Sequence, residues 1–401
     1  HDIKSITWMM VHFRDIVPLV LAVRCTGLKF ENNVPGAVWT EPKPAEPQCK
    51  GRNYDTTEWS AMSLRKKMGL SEFEDLNAGR RNMCYGGHFV PELMVLGSIQ
   101  GSTTSLCAEL RANSNLLWPR QLTTDVGDTT IDSEWKEGHY FDCHFAEGVQ
   151  GMAGSYQNCT KQRRMIAVDG SASYFSDFRV PPIIQSWYQM LSMDHLLKFV
   201  VMMREPLERL HSHFYHSQKG GWCSQHVGMN FGQAVDAVIY PLRKKSIDED
   251  AEGAQEITED FSGCYAFLEA SLYPKYLRVW FSYFHPRQFY IVPFKFNVDP
   301  GNEGRTSQTV ANFILKELGV KQSPETQIRS LGAVKANAVH HTSLLEDLDR
   351  RRLRMAREYF RTYSNPLQIA NLLKNTKAHL YGYQGTMQDE VAIGLWIRDN
   401  W

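Results

Sequence analysis

The stretch Gly97-Ser98-Ile99-Gln100-Gly101-Ser102-Thr103-Thr104-Ser105 has the residue types of an anion site. A Gly- and hydroxyl-rich loop between a strand and a helix turns backbone N–H groups and the positive helix end toward one point, and Ser and Thr hydroxyls add further donors. Ile99, Gln100, Gly101, Ser102, Thr103, Thr104 and Ser105 are therefore the candidate anion-binding residues. An ordinary Gly/Ser turn entering a helix is the alternative, because the loop lacks the Gly-Lys-Ser/Thr ending of a nucleotide triphosphatase. Downstream, Arg204 ends an apolar run and Ser212 follows two turns into a helix. Arg offers planar, paired donors suited to phosphate oxygens, although it could equally cap a carboxylate. In Trp135-Lys136-Glu137-Gly138-His139-Tyr140-Phe141-Asp142, two acids and a His alternate with aromatics. Glu137, His139 and Asp142 have the makings of a general-base site if the aromatics wall it from water; a surface strand with an aromatic inner face is the competing reading.

These residues need elements to hold them. Residues 93–96 form a short apolar run of the buried parallel-strand kind, and helical spacing resumes at Leu106 and Leu110. A second strand is expected over 164–168, ending in Asp169-Gly170-Ser171-Ala172-Ser173-Tyr174-Phe175, and a helix over 184–191 after Pro181 and Pro182. The run 198–203 reads as a buried strand and 207–216 as a helix, with Pro206 in its first turn, where a missing N–H costs nothing. That puts Arg204 at the carboxyl end of a strand, where open α/β sheets bind ligands. Further on come a helix over 268–284, a strand over 288–292, a helix over 309–318, and a tail of two helices, 344–363 with Arg350, Arg351, Arg352 and Arg354, and 366–373. Alternating strands and helices predict an α/β fold, a parallel sheet flanked by helices on both faces.

Composition sets the outer bounds. The 401 residues are 43% hydrophobic and 22% charged, enough for one large core or two smaller ones. Forty-four basic and forty-four acidic residues cancel, so nucleic acid is not an expected partner and any anion site must be local. The eight cysteines form no Cys-x-x-Cys pair, which argues against a zinc site and leaves disulfides open. Asn158-Cys159-Thr160 is an N-glycosylation sequon if the chain enters a secretory compartment. The apolar run 16–23 is far short of the roughly 20 residues of a membrane span, so membrane attachment is expected only through an anchor absent from this chain. Residues 1–54, with the Pro-rich run 42–47, read as a stem or linker, and 55–76 as a helical segment exposing Arg65, Lys66 and Lys67. Residues 217–262, with a helical patch around 231–239 and an acidic stretch over 248–260, read as an insertion.

Taken in order, these pieces resemble the PAPS-dependent sulfotransferases, in particular Golgi enzymes that sulfate heparan and chondroitin chains. PELMVLGSIQGSTTSL is similar to that family's 5′-phosphosulfate loop and KFVVMMREPLERLHSHFYH to its 3′-phosphate element, whose Arg and Ser correspond to Arg204 and Ser212. KEGHYFD resembles the segment carrying the catalytic Glu, here Glu137 with His139 and Asp142 beside it. AVDGSASYF, SLYPKYLRVWFSYFHPRQFYIV and EYFRTYSNPLQIANLL resemble later segments of the same family.

The resemblance implies a P-loop-like sulfotransferase domain over 55–401 and PAPS (3′-phosphoadenosine 5′-phosphosulfate) as donor, with no metal. It also implies an acceptor hydroxyl or amine, on a glycan or else a small metabolite. Location follows as the Golgi lumen or secretory pathway, with the cytoplasm as the alternative. In that scheme Glu137 is the general base. The chain departs from the family at Gln100, where a Lys is usual, at Ser102, where a Gly is usual, and at Gly170, where the heparan branch has a second Lys. The closing loop is only echoed by 332–337, whose Lys335 is the expected replacement cation, with a Lys or Arg of the insertion as alternative. A relative that binds PAPS or PAP with little transfer would also explain the lost lysines. A nucleotide kinase or triphosphatase would share the strand, loop and helix, but the Lys and magnesium hydroxyl it needs are missing.

Overall fold

Short apolar runs become strands, and the segments between them become the helices that cover the sheet. The structure, a computed structural model, describes residues 82–119, 137–142, 148–159, 164–220, 229–237, 239, 268, 270–298, 307–320, 343–374 and 376–401. In chain order the first part contains β1 (Cys84–Tyr85), β2 (His88–Phe89), β3 (Pro91–Gly97), α1 (Thr103–Arg111), β4 (Leu116–Leu117), α2 (Gly148–Gly154), β5 (Ile166–Asp169), α3 (Val180–Met190), β6 (Lys198–Met203) and α4 (Pro206–Gly220). Then follow α5 (Tyr273–Tyr283), β7 (Phe289–Pro293), α6 (Lys295–Val298), α7 (Ser307–Glu317), α8 (Leu344–Asp347), α9 (Arg350–Tyr363), α10 (Pro366–Leu373), β8 (His379–Leu380) and α11 (Glu390–Asn400).

The main sheet has the order β4-β5-β3-β6-β7-β8, with every neighbouring pair parallel. All of β3 is buried, and its side chains alternate between two layers. Leu93 and Val95 join Leu106 and Leu110 of α1 and Val310 and Ile314 of α7 on one face. Met94 and Leu96 join residues of α3, α5, α9 and α10 on the other. Burying each Leu, Met or Val contributes roughly 1.5–3 kcal/mol, so a strand covered on both faces is among the strongest anchors of the sheet. The chain leaves β3 toward β4 and β5 on one side and returns to β6 on the other. The strand order thus switches at β3, and the loops after β3, β5 and β6 gather at one end.

The α/β architecture with a parallel sheet and helices on both faces is as the sequence predicts, while several boundaries differ. The helix read over 268–284 is interrupted: residue 268 is helical, residues 270 and 271 turn, and α5 starts at Tyr273 with Pro274 in its first turn. The helix read over 344–363 is two: Asp349 breaks it and caps α9, accepting from the Arg352 N–H at 2.9 Å. Conversely, α3 starts earlier than expected, at Val180, with its prolines in the first turn. The insertion read from 217 starts later, since α4 continues to Gly220, while its helical patch around 231–239 is helical over 231–237 as read. The tail holds more than two helices, since β8 pairs with β7 and α11 packs on α10. A two-residue strand has no periodicity to read. The stem 1–54, the helix at 55–76, the acidic part of the insertion and the loop 332–337 with Lys335 lie outside the described residues.

A disulfide joins Cys84 in β1 to Cys159, Cα atoms 6.1 Å apart, beside the exposed Asn158, which bridges to His88. Among the described residues no group of His, Cys, Asp or Glu could hold a metal, and no helix is long and apolar enough to cross a membrane.

Candidate functional site

The loop after β3 is fastened from three sides. Ser98 lies under β6: its N–H donates to the Met202 carbonyl at 3.0 Å, and its hydroxyl donates to the same oxygen at 3.1 Å. The Gly101 N–H turns back to the Ser98 carbonyl at 2.8 Å; a Cβ at Gly101 would sit 2.8 Å from that oxygen, so a side chain is excluded. From the far side, Asn297 of α6 donates through Nδ2 to the Ser102 carbonyl at 3.1 Å and to its hydroxyl oxygen at 2.9 Å. Gln100 (φ 62°) and Ser102 (φ 71°) are both left-handed. Alternating handedness of this kind aims successive N–H groups into one hollow. Ser102 is the N-cap of α1 yet makes no side-chain capping bond, and the first turn carries no acid. The positive helix end therefore meets no acid of its own first turn.

Arg204 stands where the sequence puts it, past the carboxyl end of β6. Its backbone is locked by Tyr273, whose hydroxyl accepts from the Arg204 N–H at 3.1 Å and donates to its carbonyl at 2.8 Å. The guanidinium lies 4.4 Å over the Phe294 ring. Its Nε is buried without a hydrogen-bond partner, since Glu208 Oε2 stands 3.8 Å away, beyond hydrogen-bond reach. Burial lowers the Arg204 pKa, with Glu208 acting in the opposite direction. A buried guanidinium N–H without a protein acceptor is able to donate to an anion. The Ser212 hydroxyl donates to Gln100 Oε1 at 3.2 Å, so the loop and the Arg204–Ser212 element touch.

The second constellation forms no strand. Residues 137–142 run irregularly into a turn, with Tyr140 and Phe141 buried and Glu137 and His139 partly exposed, at 25% and 35% of their side chains. His139 bridges both acids: Nε2 is 3.0 Å from Glu137 Oε2, and Nδ1 is 3.1 Å from Asp142 Oδ2. Burial works against its protonation, but the two carboxylates prevail and push its pKa up to about 11. A carboxylate on each ring nitrogen thus favours the imidazolium form of His139. The loop after β5 holds this cluster: Ser173 donates to Asp142 Oδ2 at 2.5 Å, and the His139 N–H donates to Ser171 Oγ at 3.0 Å. Beneath it Asp169, fully buried, accepts from Ser171 Oγ at 2.6 Å and Tyr174 OH at 2.9 Å. Burial raises the Asp169 pKa, and those two hydroxyls oppose the rise.

The two constellations meet at Ala172. A Cβ on Gly97 (φ 135°) would lie 2.4 Å from the Ala172 carbonyl oxygen, so only Gly lets the end of β3 pass the loop that carries Ser171 and Ser173. Thr103 is buried at the first position of α1, Thr104 and Ser105 are half-buried beside it, and Ile99 is half-buried in the loop. Sequence reasoning missed Asn297, Tyr273, Asp169 and Arg209. Asn297 carried one usable signal, its place just past a strand; Arg209 carried another, the three-residue spacing that sets it on the helix face of Ser212.

No family model and no curated protein matches the chain by sequence. Among solved structures it is similar to a sulfotransferase from Alicyclobacillus acidocaldarius, at 14% identity and a TM-score of 0.43, over 70% of this chain and 94% of that one. It is also similar to the sulfotransferase domain from the curacin biosynthetic pathway, at 14% identity and a TM-score of 0.33, over 68% and 98%. A third, the sulfotransferase domain of the Synechococcus PCC 7002 olefin synthase, gives 11% identity and a TM-score of 0.30, over 82% and 98%.

Proposed function

We propose that the protein is a sulfotransferase that takes its sulfuryl group from PAPS and passes it to a hydroxyl or amine, on a glycan by the resemblance of its motifs. The observation that carries this reading is the buried, unpartnered Nε of Arg204 on the element whose Ser212 touches the loop of left-handed Gln100 and Ser102. Two donor sets in contact through Ser212 and Gln100 suit a nucleotide with two separate anionic groups. The loop 98–105 would hold the 5′ end of the donor, and Arg204 with Ser212 its 3′-phosphate. PAPS supplies the activated sulfuryl group.

The chain's own residues do the rest. Glu137, partly exposed and oriented by the His139 imidazolium, accepts the proton of the acceptor. General-base assistance of this kind contributes ~10²–10⁴-fold. Asp142 and Ser173 keep His139 in place, and the N–H groups and hydroxyls of the loop stabilise negative charge as it develops on the departing phosphate. The Cys84–Cys159 disulfide and the exposed Asn158 of the sequon favour an oxidising, secretory compartment. The test is transfer of labelled sulfate from PAPS onto a panel of glycans and small hydroxylated or amino metabolites, with PAP binding measured by calorimetry. Micromolar PAP binding with transfer to a glycan is the expected result. A protein that binds no PAP is not a sulfotransferase, and one that binds PAP but labels only a small metabolite has a different acceptor.

A further inference from the structure

Arg209 is the most completely buried cation described, at 0% exposure. It sits on α4 between Arg204 and Ser212 and points at the back of the loop. Its Nη1 donates to the Ile99 carbonyl at 3.1 Å and its Nε to Ser271 Oγ at 2.6 Å. Ser271 in turn donates to the Pro206 carbonyl at 3.0 Å, tying the arrangement to the start of α4. Nη1 also lies 3.1 Å from His213 Nδ1. Arg has no acceptor, so that nitrogen must accept and His213 is neutral. Burial first, and then the Arg209 charge, hold the His213 pKa well below its usual value.

One consequence follows from peptide geometry. A trans peptide points its C=O and the next N–H in opposite directions. With the Ile99 carbonyl held inward on a fully buried guanidinium, the Gln100 N–H is turned outward, toward the half-exposed side of the loop. The charge itself counts too, because a cation buried in low dielectric is screened far less than one in water. Burial lowers the Arg209 pKa to about 10, with nearby Arg204 adding to the fall, which still leaves it charged at neutral pH. We propose that Arg209 is the positioning residue for the donor's 5′ anionic group: it aims the Gln100 N–H and sets a fixed positive charge behind a loop whose Gln100 brings none. This rests on the donor assignment above and concerns only the 5′ end, since Arg204 serves the 3′ end.

The test compares calorimetric binding of adenosine 3′,5′-bisphosphate and adenosine 3′-monophosphate to the native full chain and to R209M, R209K and S271A. R209M should lose about tenfold or more in affinity for the bisphosphate and nothing for the 3′-monophosphate, with R209K recovering part of the loss. S271A, which removes one anchor of the guanidinium and leaves its charge, should show the same selectivity at about threefold. If R209M does not fold, S271A decides. Equal losses for both ligands, or an unchanged bisphosphate affinity, overturn the proposal. A native chain that binds neither ligand removes the donor assignment itself, and this proposal with it.

Discussion

The loop 98–102 and the segment 137–142 adjoin the two sides of Ala172, and they are held by different means. The loop offers backbone N–H groups and is clamped by buried partners on three neighbouring elements: Met202 of β6, Asn297 of α6 and Arg209 of α4. The acid–His–acid segment offers side chains, with Glu137 and His139 partly exposed and Asp142 buried, and depends on one loop, the Ser171 and Ser173 that follow β5. The first is rigid by construction, because a backbone fixed by buried hydrogen bonds cannot rotate away from its target. The second can adapt at the side-chain level while its geometry depends on a buried carboxylate, Asp169. A site that binds a constant donor and a variable acceptor is served by this division: fixed donors for the one, adjustable acids for the other.

If the division is right, mutations should separate binding from turnover. Glu137→Gln keeps shape and removes basicity, so turnover should fall at least ~10²-fold with PAP affinity unchanged, measured by PAPS consumption and calorimetry. A near-native rate would place the base elsewhere. Arg204→Ala should do the reverse, weakening PAP by roughly 10–100-fold through loss of a charge-assisted pair worth about 1.5–3 kcal/mol. Unaltered PAP affinity would remove Arg204 from the donor site.

Asp169→Ala strands the Ser171 and Tyr174 hydroxyls, and denaturant titration should show a loss of about 2 kcal/mol. Donor affinity should survive if the two regions are independently supported; a parallel loss of PAP binding would merge them into one unit.

The two regions should also loosen at opposite ends of the pH scale. His139 has its folded pKa raised from 6.5 to about 11, so its contribution is complete below pH 6.5 and lost as pH rises through about 11. His213 has its folded pKa lowered, so the unfolded chain takes up a proton the native one refuses, and stability falls as pH drops below 6.5. Amide exchange, corrected for intrinsic rates, should show 99–102 opening in acid and 138–141 opening in alkali. Opening of both at the same end would break the contrast.

Gln100→Lys is the smallest effect expected. With a cation already behind the loop, an added Lys should change PAPS consumption little or reduce it by crowding like charges. A gain on the order of 10² would mean that the loop lacks a charge that nothing else supplies.

Much of this was legible in one dimension. Residues 91–105 announce a strand, a loop and a helix because a buried strand, a glycine break and helical spacing are all local patterns. Arg204 was legible for the same reason, as the first polar residue after a buried run and before a helix-starting proline. The spacing of Glu137, His139 and Asp142 named the cluster without saying how it would be arranged. The helix at 344–363 was misread because a single capping Asp interrupts a periodicity that otherwise continues. The strand β8 was missed because two residues have no period.

The sequence by itself determined the α/β class, the loop that begins a helix and the residue types able to bind an anion or take a proton. These follow from nearest-neighbour chemistry and from periods of two and 3.6 residues. Only the tertiary structure decided that Ser212 meets Gln100, that Asn297 pins Ser102 from 195 positions away, and that Asp169 supports the cluster around His139. It also decided that a fully buried Arg209 faces the Ile99 carbonyl, 110 positions distant. Such contacts depend on which strands become neighbours at the β3 switch point, and strand order is a property of the folded sheet that no local spacing encodes.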